Sequence, residues 1–234
     1  MSSNIVGYNK IQLSSGYNLI GTQFVQIGQQ AKDIQQLAES TTLPGLDDES
    51  AFQTTLRLWN GRGYDTFGWL DADDGTANEV PAWNSKWLLY DMSDLATEEM
   101  PVGQGCWIVT SEDSEIVIAG EVPAEATKEV QLASGYNLLC NPFPEQISIQ
   151  QVQSTDLPGL DEESAFQTTL RLWNGRGYDT FGWLDADDGT ANEVPAWNSK
   201  WLLYDMSDLA ATNIKVGEGF WIVTTAASSV TFTK

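Results

Sequence analysis

A long internal duplication constrains this chain more than any other feature. The segment from Leu43 to Ala96 recurs 114 residues later as Leu157 to Ala210, and within it only Asp48 differs from its counterpart, Glu162. Identical segments offer identical local interactions and identical apolar patterns, so both copies are expected to fold in the same way. The chain is therefore predicted to contain two homologous units.

The duplication extends more weakly on both sides of the copied segment. Leu13–Leu19 matches Leu132–Leu138, and Val102–Val109 matches Val216–Val223. Gly120–Lys128, between the copies, has the proline, glycine and charge content of a short exposed connection. We therefore predict two tandem domains, residues 1–120 and residues 121–234.

Each copy has the pattern of short antiparallel strands. In Phe52–Trp59 apolar and polar positions alternate, which places Leu56 and Leu58 on one face and Arg57 and Trp59 on the other. Asn60–Gly63 supplies turn residues that tolerate a positive φ, and Tyr64–Leu70 follows as the returning strand. Five further strands are predicted, at Ile11–Leu13, Tyr17–Gly21, Lys86–Tyr90, Cys106–Thr110 and Glu115–Ala119.

One helix is predicted in the first copy, over Gln29–Ala38, where Ala31, Ile34 and Leu37 recur at helical spacing. A shorter counterpart is expected near Ser148–Val152. The predicted fold is thus mainly β, with two tandem homologous antiparallel β domains, each a sandwich or partly open barrel with one short helix.

Composition excludes several classes of function. The chain has 33 acidic and 11 basic residues, a net charge of −22, so nucleic acid and anionic membrane surfaces would be repelled. It has no histidine, which removes the usual catalytic triads and imidazole metal sites. We expect no enzymatic activity, no catalytic residue and no membrane insertion.

The ten tryptophans suggest a sugar-binding surface. Aromatic rings beside polar side chains hold sugars by stacking and by hydrogen bonds to hydroxyl groups, although small β domains also use tryptophan in their cores. Trp107 and Trp221 are predicted to be core residues. The predicted sugar-binding residues lie on the repeated hairpin, namely Arg57, Trp59 and Trp69 with their counterparts Arg171, Trp173 and Trp183.

An acidic loop in each copy suggests a calcium site. The loop beginning Asp71-Ala-Asp-Asp-Gly gathers carboxylates around a glycine, as hard cations prefer, but its spacing is one residue shorter than that of calcium-binding loops. A solvated loop without a metal is the alternative. The candidate ligands are Asp71, Asp73, Asp74, Asp185, Asp187 and Asp188; Ca²⁺ is the one cofactor considered.

The terminal strands suggest self-assembly. Ile5, Val6 and Tyr8 form a leading strand, and Val230 and Phe232 lie on the last one, so one chain could pair head to tail with the next and form a filament. The alternative is that Ile5–Tyr8 pairs within its own domain.

The two cysteines, Cys106 and Cys140, are either small buried residues or a bridge between the domains.

Three motifs carry a resemblance. Gly135–Phe143, Leu172–Tyr178 and Gly217–Ile222 resemble a module of secreted and cell-surface proteins of bacteria, although Gly21-Thr-Gln-Phe24 departs from it in the first copy. The resemblance implies export and a β-rich, non-catalytic role, and it transfers no site residue. The first residues lack the basic and apolar regions of a signal peptide. Because strand-like Asn4–Tyr8 follows directly after Met1-Ser-Ser, and because the acidic, tryptophan-rich β-repeat composition suits an extracellular module, we expect an extracellular or cell-surface protein whose leader is absent from this chain.

Two functions follow from the sequence. The first is a non-enzymatic secreted structural or surface-assembly subunit that polymerises with copies of itself. The alternative is a bivalent carbohydrate-binding protein that uses exposed tryptophans, in which two linked sites would increase avidity for an extracellular glycan.

Overall fold

The computed structural model describes residues 5–26, 31–37, 40–71, 80–185 and 194–234. The first half contains the strands β1 (Val6–Leu13), β2 (Gly16–Gly21), β3 (Ala31–Asp33), β4 (Ser40–Thr41), β5 (Thr54–Trp59), β6 (Tyr64–Leu70), β7 (Lys86–Leu89), β8 (Glu99–Pro101), β9 (Gly105–Thr110) and β10 (Ser114–Glu121).

The second half repeats this series in the same order. Its strands are β11 (Thr127–Leu132), β12 (Gly135–Cys140), β13 (Ile147–Ser148), β14 (Val152–Gln153), β15 (Thr168–Trp173), β16 (Tyr178–Leu184), β17 (Lys200–Leu203), β18 (Asn213–Ile214), β19 (Gly219–Thr224) and β20 (Ser228–Thr233). Short 3-10 turns lie at Ile34–Gln36, Pro81–Trp83, Ile149–Gln151 and Pro195–Trp197.

Each half is built around a five-stranded and a three-stranded antiparallel sheet. In the first half the strand orders are β2-β9-β5-β6-β7 and β1-β10-β4, with β3 and β8 as a separate pair. The second half has the orders β12-β19-β15-β16-β17 and β11-β20-β14, with β13 and β18 paired. The mainly β, antiparallel, duplicated architecture predicted from the sequence is confirmed.

The core of each half lies between its two sheets. Leu56, Leu58 and Phe67 of the larger sheet pack in one cluster with Ile116 and Ile118 of the smaller sheet. The corresponding cluster of the second half includes Val230 and Phe232. Apolar residues at alternate positions of both sheets thus bury a sandwich core in each half, and a smaller separate cluster forms around Leu70 and Leu88 and again around Leu184 and Leu202.

The helix predicted over Gln29–Ala38 is wrong for the residues that the structure describes. Ala31–Asp33 forms β3 and pairs with Glu99–Pro101, and the Ile34–Gln36 turn follows it. The side-chain amide of Gln35 donates to the carbonyls of Trp87 and Ala96, at 2.6 and 2.8 Å. Long-range pairing therefore overrides the local helical periodicity.

Among the described residues no helix is long and apolar enough to cross a membrane.

The two halves contact one another in a nearly two-fold symmetric way. The amide of Gly21 donates to the carbonyl of Gly217 at 3.1 Å, and the amide of Cys140 donates to the carbonyl of Gly103 at 2.8 Å. Gly21 corresponds to Cys140 in the duplication, and Gly103 corresponds to Gly217. Each contact thus recurs with the halves exchanged, as in an isologous dimer whose subunits are joined in one chain.

Gly21 and Cys140 face each other at this boundary. A Cβ atom built on Gly21 would lie only 2.3 Å from the Cβ of Cys140. Cys106 and Cys140 are both buried, free thiols. Burial raises the pKa of the Cys140 thiol to about 12, and burial also raises the pKa of Cys106.

Candidate functional site

The repeated hairpin β5–β6 places polar and aromatic side chains on the face opposite the core. Leu56 and Leu58 point into the core, so strand alternation turns Arg57 and Trp59 to the other side, as predicted. Trp59 pairs across the hairpin with Tyr64, with ring centroids 5.2 Å apart. Trp173 and Tyr178 repeat this pair in the second half, also at 5.2 Å.

The tight turn of the hairpin fixes this arrangement. The side-chain oxygen of Asn60 accepts hydrogen bonds from the amides of Arg62 and Gly63, at 3.1 and 2.9 Å. Gly61 has a φ of 92°, a conformation that a side chain would strain. The turn therefore holds Trp59 and Tyr64 directly opposite each other at the end of the ladder.

Trp59 reaches across the boundary into the second half. Its indole nitrogen donates to the carbonyl of Tyr136 at 2.8 Å, and its ring meets the ring of Trp221 edge to face, with centroids 5.4 Å apart. Trp173 makes the same two contacts in reverse. Its indole nitrogen donates to the carbonyl of Tyr17 at 3.0 Å, and its ring lies 5.3 Å from that of Trp107.

These contacts create two neighbouring pockets between the halves. The first pocket has a volume of about 220 Å³ and is lined by Trp59, Tyr64, Tyr136, Arg171, Tyr178 and Trp221. The second pocket has a volume of about 280 Å³ and is lined by Tyr17, Arg57, Tyr64, Trp107, Trp173 and Tyr178. Tyr64 and Tyr178 line both pockets, so we treat them as one site and call it the aromatic cleft.

Each pocket also contains one arginine. The guanidinium of Arg57 lies 5.6 Å from the centre of the Tyr17 ring, and that of Arg171 lies 5.8 Å from the Tyr136 ring. These distances are typical of cation–π contacts. The Nε atom of Arg57 is buried and has no hydrogen-bond partner, whereas Nε of Arg171 donates to the hydroxyl of Thr169 at 3.3 Å. The arginines therefore bring hydrogen-bond donors to walls that are otherwise aromatic.

Tyr64 has a shifted pKa in this cleft. Partial burial raises the pKa of its phenol above the ordinary value, and a hydrogen bond with Trp107 acts in the opposite direction. The phenol is thus held in its neutral form, in which it both donates and accepts hydrogen bonds.

An open basin of about 560 Å³ in the first half adjoins the cleft through Arg57 and Tyr64.

The structure brings four of the six predicted sugar-binding residues together and excludes the other two. Arg57, Trp59, Arg171 and Trp173 all line the aromatic cleft. The predicted sugar-binding role of Trp69 and Trp183 is wrong, because their side chains are only 1% and 2% exposed. Each packs in the core against the tryptophan directly opposite on the next strand, Trp87 or Trp201.

Sequence reasoning missed six residues of the cleft. Four of them are half-exposed tyrosines. The prediction that Trp107 and Trp221 are core residues is confirmed, since only about 5% and 4% of each is exposed, but both also line the cleft. Their repetition in both halves was visible in the sequence. Nothing in the sequence indicated that the two halves turn the same face toward each other. The six are Tyr17, Tyr64, Trp107, Tyr136, Tyr178 and Trp221.

The predicted calcium loops are only partly described. Asp71 and Asp185 lie at the ends of β6 and β16, while Asp73, Asp74, Asp187 and Asp188 lie outside the described residues. Among the residues that are described, no group of three or more acidic or cysteine side chains could hold a metal ion. Calcium binding therefore stays a prediction, and a melting temperature that rises with millimolar Ca²⁺ and falls on chelation would confirm it.

The predicted assembly residues fall into two groups. Ile5, Val6 and Tyr8 are exposed by 69%, 59% and 77%, although β1 pairs along its length with β10 of its own half. Val230 and Phe232 are fully buried, because β20 lies between β11 and β14 and turns these side chains into the core. The assignment of Val230 and Phe232 to a contact between chains is therefore corrected.

The fold and the cleft define a class of protein made of two fused β sandwiches, with one aromatic site at their approximate two-fold axis. The sequence matches no protein-family model and no curated protein.

Proposed function

We propose that this protein binds carbohydrate in the aromatic cleft and has no catalytic activity. The observation that carries the proposal is the arrangement of Trp59, Tyr136 and Trp221 around one arginine, and its repetition around the other. Aromatic rings stack on the apolar faces of sugar rings, and arginine and tyrosine side chains bond to hydroxyl groups. The exposure of Tyr17 and Tyr136, 52% and 50%, leaves ring surface available to a ligand.

Net charge favours a neutral glycan. A chain with a net charge of −22 repels polyanionic polymers over long distances. An uncharged sugar does not meet this barrier, and it uses the arginines as hydrogen-bond donors instead of as ion-pair partners. A neutral extracellular or cell-surface glycan is the ligand class that these features support.

A glycan array probed with the whole chain tests the proposal. We expect Tyr17→Ala combined with Tyr136→Ala to lower retention about tenfold, since each lost ring contact contributes roughly 0.5–1.5 kcal/mol. The matched control is Tyr90→Ala combined with Tyr204→Ala, which removes an equally repeated pair of tyrosines that are each 59% exposed outside the cleft. Binding that survives the cleft variant, or is lost equally in the control, would contradict the proposal.

Assembly is the second candidate function, and the exposure of β1 favours it. Val6 and Tyr8 are exposed apolar residues on the edge strand β1, and exposed Ile5 directly precedes it, so another chain could add a strand there by ordinary ladder hydrogen bonds. Lys10, on the same strand, is the kind of residue that protects edges against such pairing. Light scattering of the wild type and of Val6→Lys combined with Tyr8→Lys tests this role: assembly requires high-mass species that the variant lacks.

A further inference from the structure

The two pockets of the aromatic cleft are equivalent positions of the duplication. Trp59, Tyr136 and Trp221 of the first pocket correspond one by one to Trp173, Tyr17 and Trp107 of the second. The edge-to-face tryptophan pairs have nearly the same geometry, with centroids 5.4 and 5.3 Å apart and interplanar angles of 86° and 84°. The two pockets therefore present the same chemistry in opposite directions.

The size of each pocket limits what it can hold. At about 220 and 280 Å³ they are smaller than the roughly 300–1,000 Å³ of typical ligand sites. Each suits one sugar ring better than a stretch of chain. Because Tyr64 and Tyr178 line both pockets, two bound rings would lie side by side.

The symmetry limits which pairs of rings can bind identically. Successive residues of a linear polysaccharide all point in one direction along the chain, so two of them cannot be related by a two-fold axis that reverses this direction. Two like terminal residues, on two branches or two chains, can be related in this way. So can the two rings of a disaccharide linked through both anomeric carbons.

We propose that the aromatic cleft contains two equivalent subsites, each for one terminal sugar residue, and that its ligand is a glycan with two identical ends. This inference rests on the proposed carbohydrate-binding function. It replaces the two linked sites expected from the sequence with two adjacent subsites in one cleft.

Fluorine NMR of the whole chain labelled with 5-fluorotryptophan tests the two subsites separately. Single Trp→Phe substitutions assign the signals of Trp59, Trp107, Trp173 and Trp221, and Trp83 and Trp197 serve as reporters outside the cleft. The probes are the methyl glycosides of glucose, galactose, mannose, N-acetylglucosamine and xylose. For any probe that binds, we expect the signals of both pockets to shift with midpoints that agree within about twofold.

Variants of single pockets make the test decisive. Tyr136→Ala should abolish the response of Trp59 and Trp221 and leave that of Trp107 and Trp173, and Tyr17→Ala should do the reverse. A response confined to one pocket in the wild type would overturn the inference of two subsites. Loss of both responses in each variant would overturn it as well, because it would indicate a single composite site.

A two-headed probe tests the class of ligand. Two copies of the binding glycoside on a flexible linker should bind at least about tenfold more tightly than one copy on the same linker, because the second contact is intramolecular. Equal affinity would contradict a ligand with two identical ends. If none of the five glycosides shifts any cleft signal and the glycan array shows no retention, the proposed carbohydrate function itself fails, which distinguishes that failure from failure of the inference.

Discussion

The indole nitrogen of Trp59 donates a hydrogen bond to the main-chain carbonyl of Tyr136, and this bond joins the two halves of the chain beside the cleft. The distance is 2.8 Å, and the equivalent bond from Trp173 to Tyr17 is 3.0 Å long. Each bond links a side chain of one half to the main chain of the other. Together with the main-chain bonds of Gly21 to Gly217 and of Cys140 to Gly103, the pair helps to orient the halves and to shape both pockets.

Loss of these bonds should lower stability by additive amounts. Trp59→Phe and Trp173→Phe each remove one donor and keep an aromatic ring, so each should cost about 1 kcal/mol of unfolding free energy. The double variant should lose the sum, because the two bonds share no partner. Urea denaturation measures the unfolding free energy of each variant. Trp197→Phe is the control, and an equal loss in that variant would contradict the role of the bonds.

The close approach of Gly21 to Cys140 should make an added methyl group costly. Gly21→Ala places a Cβ 2.3 Å from the Cβ of Cys140, and overpacking of this kind costs roughly 1–3 kcal/mol. Thermal or urea unfolding should show the loss. Adding Cys140→Gly should restore part of it, because this removes the contact with Cys140, while the added Cβ still lies 2.8 Å from the main-chain oxygen of Gln104. If Cys140→Gly restores none of the lost stability, the strain does not come from the contact between residues 21 and 140.

Stability should fall at alkaline pH through Tyr64. The folded pKa of this phenol is raised, first by burial, so the folded state binds the proton more tightly than the unfolded chain does. The contribution is fully present below the ordinary tyrosine pKa of about 10 and is lost as the pH rises through the folded value. Unfolding curves at pH 8 to 11 should therefore decline less steeply for Tyr64→Phe than for the wild type.

A second tyrosine controls for general alkaline damage. Tyr204→Phe removes a phenol that is 59% exposed and lies outside the cleft. If Tyr204→Phe flattened the decline as much as Tyr64→Phe, the cleft phenol would not be its source.

Both thiols should be inert in the native protein. Cys106 and Cys140 are fully buried, and burial raises the pKa of both, so almost no thiolate is present at neutral pH. A disulfide-forming thiol reagent should label neither cysteine in buffer and both in denaturant. Rapid labelling of one thiol in buffer would show that the boundary between the halves opens. The single variants Cys106→Ala and Cys140→Ala identify which residue reacts.

The fold within each half could largely be predicted from the sequence. Alternation in Phe52–Trp59 and the Asn60–Gly63 turn predicted the hairpin and the faces of Arg57 and Trp59, because these depend on local geometry. Within the predicted helix Gln29–Ala38, the described residues 31–37 form a strand and a 3-10 turn instead, because the helical periodicity competes with the pairing of Ala31–Asp33 to Glu99–Pro101, which only the folded chain reveals.

The assembly of the cleft could not be predicted in the same way. The hydrogen bonds between the halves, including those of Trp59 to Tyr136 and Trp173 to Tyr17, end on main-chain carbonyls. Every residue has such a carbonyl, so the sequence does not indicate which ones accept these bonds. Trp69 lies on the hairpin beside the cleft residues, yet it is two positions from Phe67 and five from Tyr64, so strand alternation places it on the core face with Phe67. Alternation assigns a residue to a face, but only the packing of other elements decides whether that face is covered.

Gly21 and Cys140 also show what joining the two copies permits. In a dimer of identical chains, a residue on the symmetry axis contacts the same residue of the other chain. Two cysteines would collide at this spacing, and two glycines would leave a gap. A single gene that encodes both copies can change one member of such a pair without the other, so a small residue can face a larger one. The same freedom extends to the pockets, where one subsite can diverge in specificity while the other keeps its original ligand.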